Sequence, residues 1–130
     1  MSTIFSRIIQ GEIPCYKIAE NDDFIAFLDI NPMVKGHTLV VTKAEIDYVF
    51  DQDDAVLAAI MPFSKRVAKA IEAVVPCARC CIAVIGLEVP HTHLHLIPTN
   101  LMSDFNFKNK FPMSSAELTA LADAIAAEFK

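Results

Sequence analysis

The chain has 130 residues, 54% of them hydrophobic and 21% charged, a balance that suits one ordered domain and excludes extended disorder. Its net charge of −5, from 11 basic and 16 acidic side chains, argues against a broad electrostatic grip on nucleic acid polymers or anionic membranes. A site for a small phosphorylated ligand stays open, because one pocket can be positive on an acidic protein.

The N-terminal residues Met1 to Arg7 lack the basic and apolar regions of a signal peptide, and no later run approaches the ~20 apolar residues of a membrane span. Ile4, Phe5, Ile8 and Ile9 predict a short helix over Thr3–Gln10, stopped by Gly11 and Pro14. Two strands follow, Tyr16–Ala19 and Asp23–Ile30, around a turn at Asn21-Asp22. The loop Asn31–Gly36 leads into a third strand, His37–Thr42. Leu57, Ile60, Met61, Val67, Ala70, Ile71 and Val74 keep a helical period over Asp53–Val74, with Asp51 or Asp53 placed to cap its start. Pro62 predicts either a kink in that helix or a later start. Cys77-Ala78-Arg79-Cys80-Cys81 contains a Cys-x-x-Cys, but no second ligand pair accompanies it, and the segment reads as small residues entering a strand. With Cys15 these thiols are too sparse for a disulfide framework, so a reduced, cytoplasmic protein is expected. Ile82–Ile85 and His91–Ile97 are the fourth and fifth strands, joined through Gly86-Leu87-Glu88. Thr99–Met113 reads as an ordered, irregular loop, and Ser115–Phe129 as a helix opened by Ser114 or Ser115 with support from Glu117. The predicted class is α+β: a five-stranded, mostly antiparallel sheet with one long central helix, a short N-terminal helix and a C-terminal helix.

His91-Thr92-His93-Leu94-His95 places three of the chain's four histidines at alternate positions of one strand. Side chains alternate across a strand, so the three imidazoles are expected on one face, with Thr92, Leu94 and Leu96 on the other. Such a row can bind zinc, attack phosphorus, sense pH or be structurally ordinary, and spacing alone leaves these open. His37 adds a fourth imidazole at a strand end after Lys35-Gly36. Asp29, beside Phe27 and Ile30, suits a ribose whose base the apolar residues cover, although Asp is also a common turn residue.

Four blocks in order resemble the histidine triad (HIT) superfamily, closest to its nucleotide-binding branch. They are Ile4–Pro14, Phe24–Pro32, Lys35–Val41 and His91–Leu96. The resemblance implies a single HIT-like domain over 1–130, with 1–98 matching and 99–130 a divergent C-terminal loop and helix. It also implies a homodimer that hydrolyses or transfers purine nucleotides at the α-phosphate, on a phosphoramidate or adenylate, through a covalent nucleotidyl-histidine. By position, His93 is then the nucleophile, His95 and His37 line the phosphate site, and the carbonyl of His91 orients His93. Asp29 holds the ribose hydroxyls, and Phe5, Ile8, Phe27, Ile30 and Leu39 form the base pocket. No metal or other cofactor is implied. Two further readings stay open: a dinucleoside polyphosphate hydrolase, and a nucleotide-binding or interaction protein with residual activity. A zinc-bound structural or hydratase module is a third class.

That assignment agrees with imidazole chemistry. A neutral ring is a competent nucleophile at pH 7, flanking donors stabilise charge on the phosphoryl oxygens, and an adjacent imidazolium can protonate the leaving group. The chain also departs from the family pattern. Thr3-Ile4-Phe5-Ser6 stands where many bacterial members carry Cys-x-x-Cys. Ile85-Gly86-Leu87-Glu88-Val89-Pro90 replaces a longer Gly-rich loop with amide and hydroxyl donors. Glu88 reads as a solvated turn residue, or as a charge that repels a polyphosphate tail. The aromatics and lysines of Asp104–Phe111 match nothing in the pattern, and either pack or close over a partner's site.

Overall fold

Alternation of apolar side chains organises the molecule around one sheet with a hydrophobic layer on each face. The computed structural model describes residues 2–130. Strands β1 (Lys17–Glu20), β2 (Phe24–Leu28), β3 (Thr38–Thr42), β4 (Arg79–Ala83) and β5 (His93–Thr99) form a five-stranded sheet in the order β1-β2-β3-β5-β4. Every pairing is antiparallel. Helix α1 spans Ile4–Ile9, α2 spans Asp54–Val74 and α3 spans Ser115–Glu128.

Phe24, Ala26 and Leu28 of β2, Val40 of β3, and Leu94 and Leu96 of β5 enter the larger core with Ile60, Val67 and Ile71 of α2 and Leu121 and Ile125 of α3. The intervening residues Ile25, Phe27, Leu39 and Val41 face the other way, against Phe5 of α1. The central strands β2, β3 and β5 are therefore buried on both faces, although the sheet is antiparallel. The period of two is the rule that sends His93 and His95 to the α1 side.

Local chemistry explains the helix ends. The Thr3 hydroxyl accepts the Ser6 N–H and caps α1. Ser114 and Glu117 form a reciprocal capping box that opens α3. Asp53 occupies the N-cap position of α2 without a side-chain bond. Pro62 does not delay α2: it lies inside the helix on an exposed face, as does Ala58, the residue whose i+4 donor a proline removes.

The first three strands lie within one or two residues of their expected ends, whereas the fourth and fifth are displaced by at least two residues at both ends. The fourth strand is Arg79–Ala83 rather than Ile82–Ile85, because register is set by β5, where Arg79 lies opposite Thr99 and Ala83 opposite His95. Val84 and Ile85 leave the sheet at that point. The fifth strand begins at His93 rather than His91, which lies in the preceding irregular segment. Among the described residues, no helix is long and apolar enough to cross a membrane.

Candidate active site

The site forms where β3 and β5 run side by side beneath α1. Leu39 pairs with His95 and Val41 with His93, which aligns both imidazoles beside the apolar side chains of the neighbouring strand. His37 stands immediately before β3, and the preceding Gly36 adopts φ +94°, a conformation unfavourable for a residue with a Cβ. Its alternative cost is steric: a Cβ there would lie 3.1 Å from both Pro98 and Val75. Asp29 follows β2 and is tied to the same place, its N–H donating to the His37 carbonyl at 3.0 Å.

These side chains line a cavity of about 670 Å³. His37, His93, His95, Asp29, Phe5, Ile8, Phe27, Ile30 and Leu39 all border it, as the sequence anticipated. Phe5, Phe27 and Leu39 are buried, whereas Ile30 is 63% exposed and forms part of the mouth. The Phe5 ring meets His93 edge-on at a centroid distance of 4.9 Å and Phe27 at 5.8 Å, so α1 supplies one wall of the cavity. His91 does not line it: its side chain is fully buried behind the row.

Hydrogen bonds assign a proton to each ring. His93 Nδ1 lies 2.6 Å from the carbonyl oxygen of His91, so Nδ1 carries the hydrogen and Nε2 keeps its lone pair. His91 donates from Nε2 to the Thr42 carbonyl at 2.6 Å and accepts at Nδ1 from the Thr3 hydroxyl, 2.7 Å away. The Met33 N–H donates to His37 Nδ1 at 3.2 Å, leaving the hydrogen of that ring on Nε2. His37 Nε2–H in turn donates to His95 Nδ1 at 2.9 Å. His95 therefore carries its hydrogen on Nε2. One strand thus presents a lone pair on His93 and a neighbouring N–H on His95, with ring centroids 5.0 Å apart.

Burial dominates the electrostatics. Desolvation holds His93 below the ordinary imidazole pKa, opposed by its bond to the His91 carbonyl. His95 is pushed down to about 4, first by desolvation and then by repulsion from His37 and His93. His37 is lowered by burial, with Asp29 acting in the opposite direction. All three rings are neutral at pH 7, and this revises the expectation that an adjacent imidazolium supplies a proton. At neutral pH His95 offers a hydrogen bond rather than a charge.

Asp29 has two tasks in the geometry. Its Oδ1 accepts the Asn31 N–H at 2.8 Å, a turn bond, while Oδ2 lies 3.6 Å from His37 Nε2 at the cavity wall. Asp29, His37 and His95 each offer a metal-ligating atom, all within 4.8 Å of one another. The proton pattern opposes that use, since His37 Nε2 carries a hydrogen while its Nδ1 is occupied by the Met33 N–H.

The structure adds residues that sequence reasoning left unassigned. Phe107 packs edge-on against His95 at 5.1 Å, and Lys110 also borders the cavity, so the divergent segment lines its own chain's pocket. The Phe111 N–H anchors that segment to the Pro32 carbonyl at 2.9 Å. Only the aromatic-lysine alternation hinted at this. Glu88 is exposed and lies at the cavity border. The Met33 N–H left no signal, because any residue except proline carries one. Cys15 borders the cavity, and burial raises its thiol pKa. Cys80 on β4 is pushed up to about 12, chiefly by burial, which keeps it a protonated, poorly nucleophilic thiol.

A family model described as HIT domain matches residues 10–102. An adenosine 5'-monophosphoramidase of Schizosaccharomyces pombe is 35% identical over 134 aligned positions, with 100% of both chains covered. An uncharacterized HIT-like protein of Borreliella burgdorferi is 36% identical over 112 residues, which cover 81% of each chain. Among solved structures, a hypothetical histidine triad nucleotide-binding protein of Sulfolobus tokodaii matches with a TM-score of 0.85 at 27% identity. That match covers 96% of this chain and 90% of the other.

Proposed function

Because the chain belongs to the HIT domain family, we propose that it is a purine nucleotide hydrolase or transferase acting at the α-phosphate of a phosphoramidate or adenylate. The observation that carries this reading is the pair of tautomers on β5, a free lone pair at His93 Nε2 beside a donor at His95 Nε2. The relative named as an adenosine 5'-monophosphoramidase supports it.

In this mechanism His93 Nε2 attacks phosphorus, and its Nδ1–H, held by the His91 carbonyl, shares the positive charge that develops on the ring. The P–Nε2 bond forms as the bond to the leaving amine breaks, and the amine departs with a proton from water. His95 Nε2–H faces a non-bridging phosphoryl oxygen and stabilises its charge. Water then cleaves the P–Nε2 bond, restores the lone pair and releases the monophosphate. Asp29 Oδ2 receives the ribose hydroxyls, and Phe5, Ile8, Phe27, Ile30 and Leu39 enclose the base. The His37 bond fixes the direction of the His95 donor. No step calls for a metal, so activity survives chelation.

Among the described residues, two carboxylates, Asp29 and Glu88, border the cavity against one ammonium, that of Lys110, which favours a compact substrate over a dinucleoside polyphosphate. The functional unit in this reading is a homodimer. β4 is an edge strand, and Ile82, Val84 and Ile85 along and beyond it are 44%, 42% and 44% exposed. An uncovered apolar edge invites pairing with a second copy.

The decisive experiment is mass spectrometry of protein quenched during turnover of an adenosine phosphoramidate. The expected adduct is a nucleotidyl group on His93, absent from His93→Ala, which retains monophosphate binding. Wild-type turnover by His93→Ala, or an adduct on another residue, defeats the assignment.

A further inference from the structure

Behind the row of rings lies a second polar cluster that the chemistry above does not use. Glu45 lies in the loop after β3, while Thr3 and Ser6 belong to the start of α1. The Ser6 hydroxyl donates to Glu45 Oε1, and the Thr3 N–H donates to the same oxygen at 3.3 Å. The Thr3 hydroxyl oxygen accepts the Ser6 N–H at 3.0 Å and gives its hydrogen to His91 Nδ1 at 2.7 Å. His91 is wholly buried, and its other nitrogen is bound to the Thr42 carbonyl.

We propose that Thr3, Ser6 and Glu45 are positioning residues for the histidine row, a hydrogen-bonded clamp that joins α1 to His91 and thereby selects the tautomer of His93. The clamp acts through a short covalent path. His91 supplies both the ring that Thr3 holds and the carbonyl that receives His93 Nδ1–H at 2.6 Å. A rotation of the His91 backbone lengthens that bond and removes the preference for hydrogen on Nδ1. His93 then populates the tautomer whose Nε2 carries hydrogen and cannot attack. The same clamp seats Phe5, between Thr3 and Ser6 in sequence, against His93 and His91 at 4.9 and 5.8 Å. A helix of only six residues has little stability of its own, so a fixed position for α1 requires such anchors. Glu45 serves as the outer anchor: its side chain is at the surface, yet it holds two donors from α1.

The catalytic arm of the test rests on the proposed nucleophilic role of His93; the spectroscopic arm does not. The full chain is labelled with ¹⁵N at histidine, and ring tautomers are read by long-range ¹H–¹⁵N correlation in the wild type, Thr3→Val and Glu45→Ala. Thr3→Ser and Glu45→Gln keep the required hydroxyl and oxygen acceptor and serve as rescue variants. Expected are a single Nδ1–H tautomer for His93 in the wild type and both rescues, and mixed tautomers in Thr3→Val and Glu45→Ala. In the same variants kcat falls about tenfold for Thr3→Val, less for Glu45→Ala, with KM little changed, as for outer residues that orient a reacting ligand. If Thr3→Val does not fold, the surface variant Glu45→Ala decides alone. Folded Thr3→Val or Glu45→Ala with an unmixed His93 tautomer and wild-type kcat overturns the proposal. Mixed tautomers together with an active His93→Ala leave the clamp standing and remove the nucleophile.

Discussion

Gly36→Ala tests how the fold places His37. The alanine must adopt φ +94°, which costs an L-residue about 1–2 kcal/mol. Its Cβ also meets Pro98 Cγ and Val75 Cγ2 at 3.1 Å, with Ile71 Cγ2 at 3.6 Å. Those atoms belong to β5 and to the packed end of α2, where crowding by one methyl typically costs about 1–3 kcal/mol. The sum, ~2–5 kcal/mol, is a large part of an ordinary domain's stability of about 5–15 kcal/mol, so the variant folds but melts early. Gly11→Ala is the internal control, since Gly11 has φ +82° and, among the described residues beyond its chain neighbours, no heavy atom within 4 Å of where a Cβ would lie. It carries the backbone cost alone, ~1–2 kcal/mol. Urea unfolding at 25 °C measures both, and the difference isolates crowding. Relief of that crowding moves residue 36 away from Pro98 and carries His37 with it, so hydrolysis of the phosphoramidate falls more than stability predicts at saturating substrate. Equal destabilisation by the two alanines refutes the crowding argument, and an unaltered rate in folded Gly36→Ala refutes the coupling to His37.

Four other outcomes are expected. His93 must be neutral to attack, and burial lowers its pKa, so kcat/KM stays flat above pH 6.5 and its acid limb has a midpoint below that value; a midpoint at or above 6.5 in a pH–rate profile contradicts the burial argument. The depressed pKa of His95, about 4 against 6.5, stabilises the fold above pH 6.5 by at most ~3 kcal/mol, a contribution lost as pH falls toward 4. His95→Gln should therefore flatten the stability profile across that window, and an unchanged slope removes His95 as its source. Asp29→Asn keeps the turn acceptor for Asn31 but loses the charge, and calorimetry should show about a tenfold or greater weakening for nucleotides with both ribose hydroxyls and little for dideoxy analogues. Equal weakening assigns Asp29 to the loop alone. Ile82→Lys on the β4 edge should convert a dimer to a monomer in sedimentation velocity; a wild-type monomer, or a dimeric variant, places the interface elsewhere.

Much of the fold was legible because strand and helix periods are local properties. The apolar runs around Phe24–Leu28 and Thr38–Thr42 marked two strands, and the Ser114/Glu117 pair marked the start of α3. The fourth strand was misplaced because Ile82–Ile85 has strand propensity, whereas pairing is decided by the partner strand. His91 was placed in the cavity row on the same local logic. Its two ring partners, Thr3 and Thr42, come from distant parts of the chain, and no period of two records them.

By itself the sequence determined that His93 and His95 share a strand face, since alternation follows from backbone geometry alone. It also marked the apolar residues and the Asp29 carboxylate that border the cavity. Only tertiary structure decided which nitrogen of each ring bears hydrogen, because each proton is placed by a group remote in sequence or by a backbone carbonyl whose direction depends on packing. Burial likewise belongs to the assembled molecule: an imidazole in a chain has an ordinary pKa, and the packing of β3, His37 and the Phe107 segment around His95 is what lowers it.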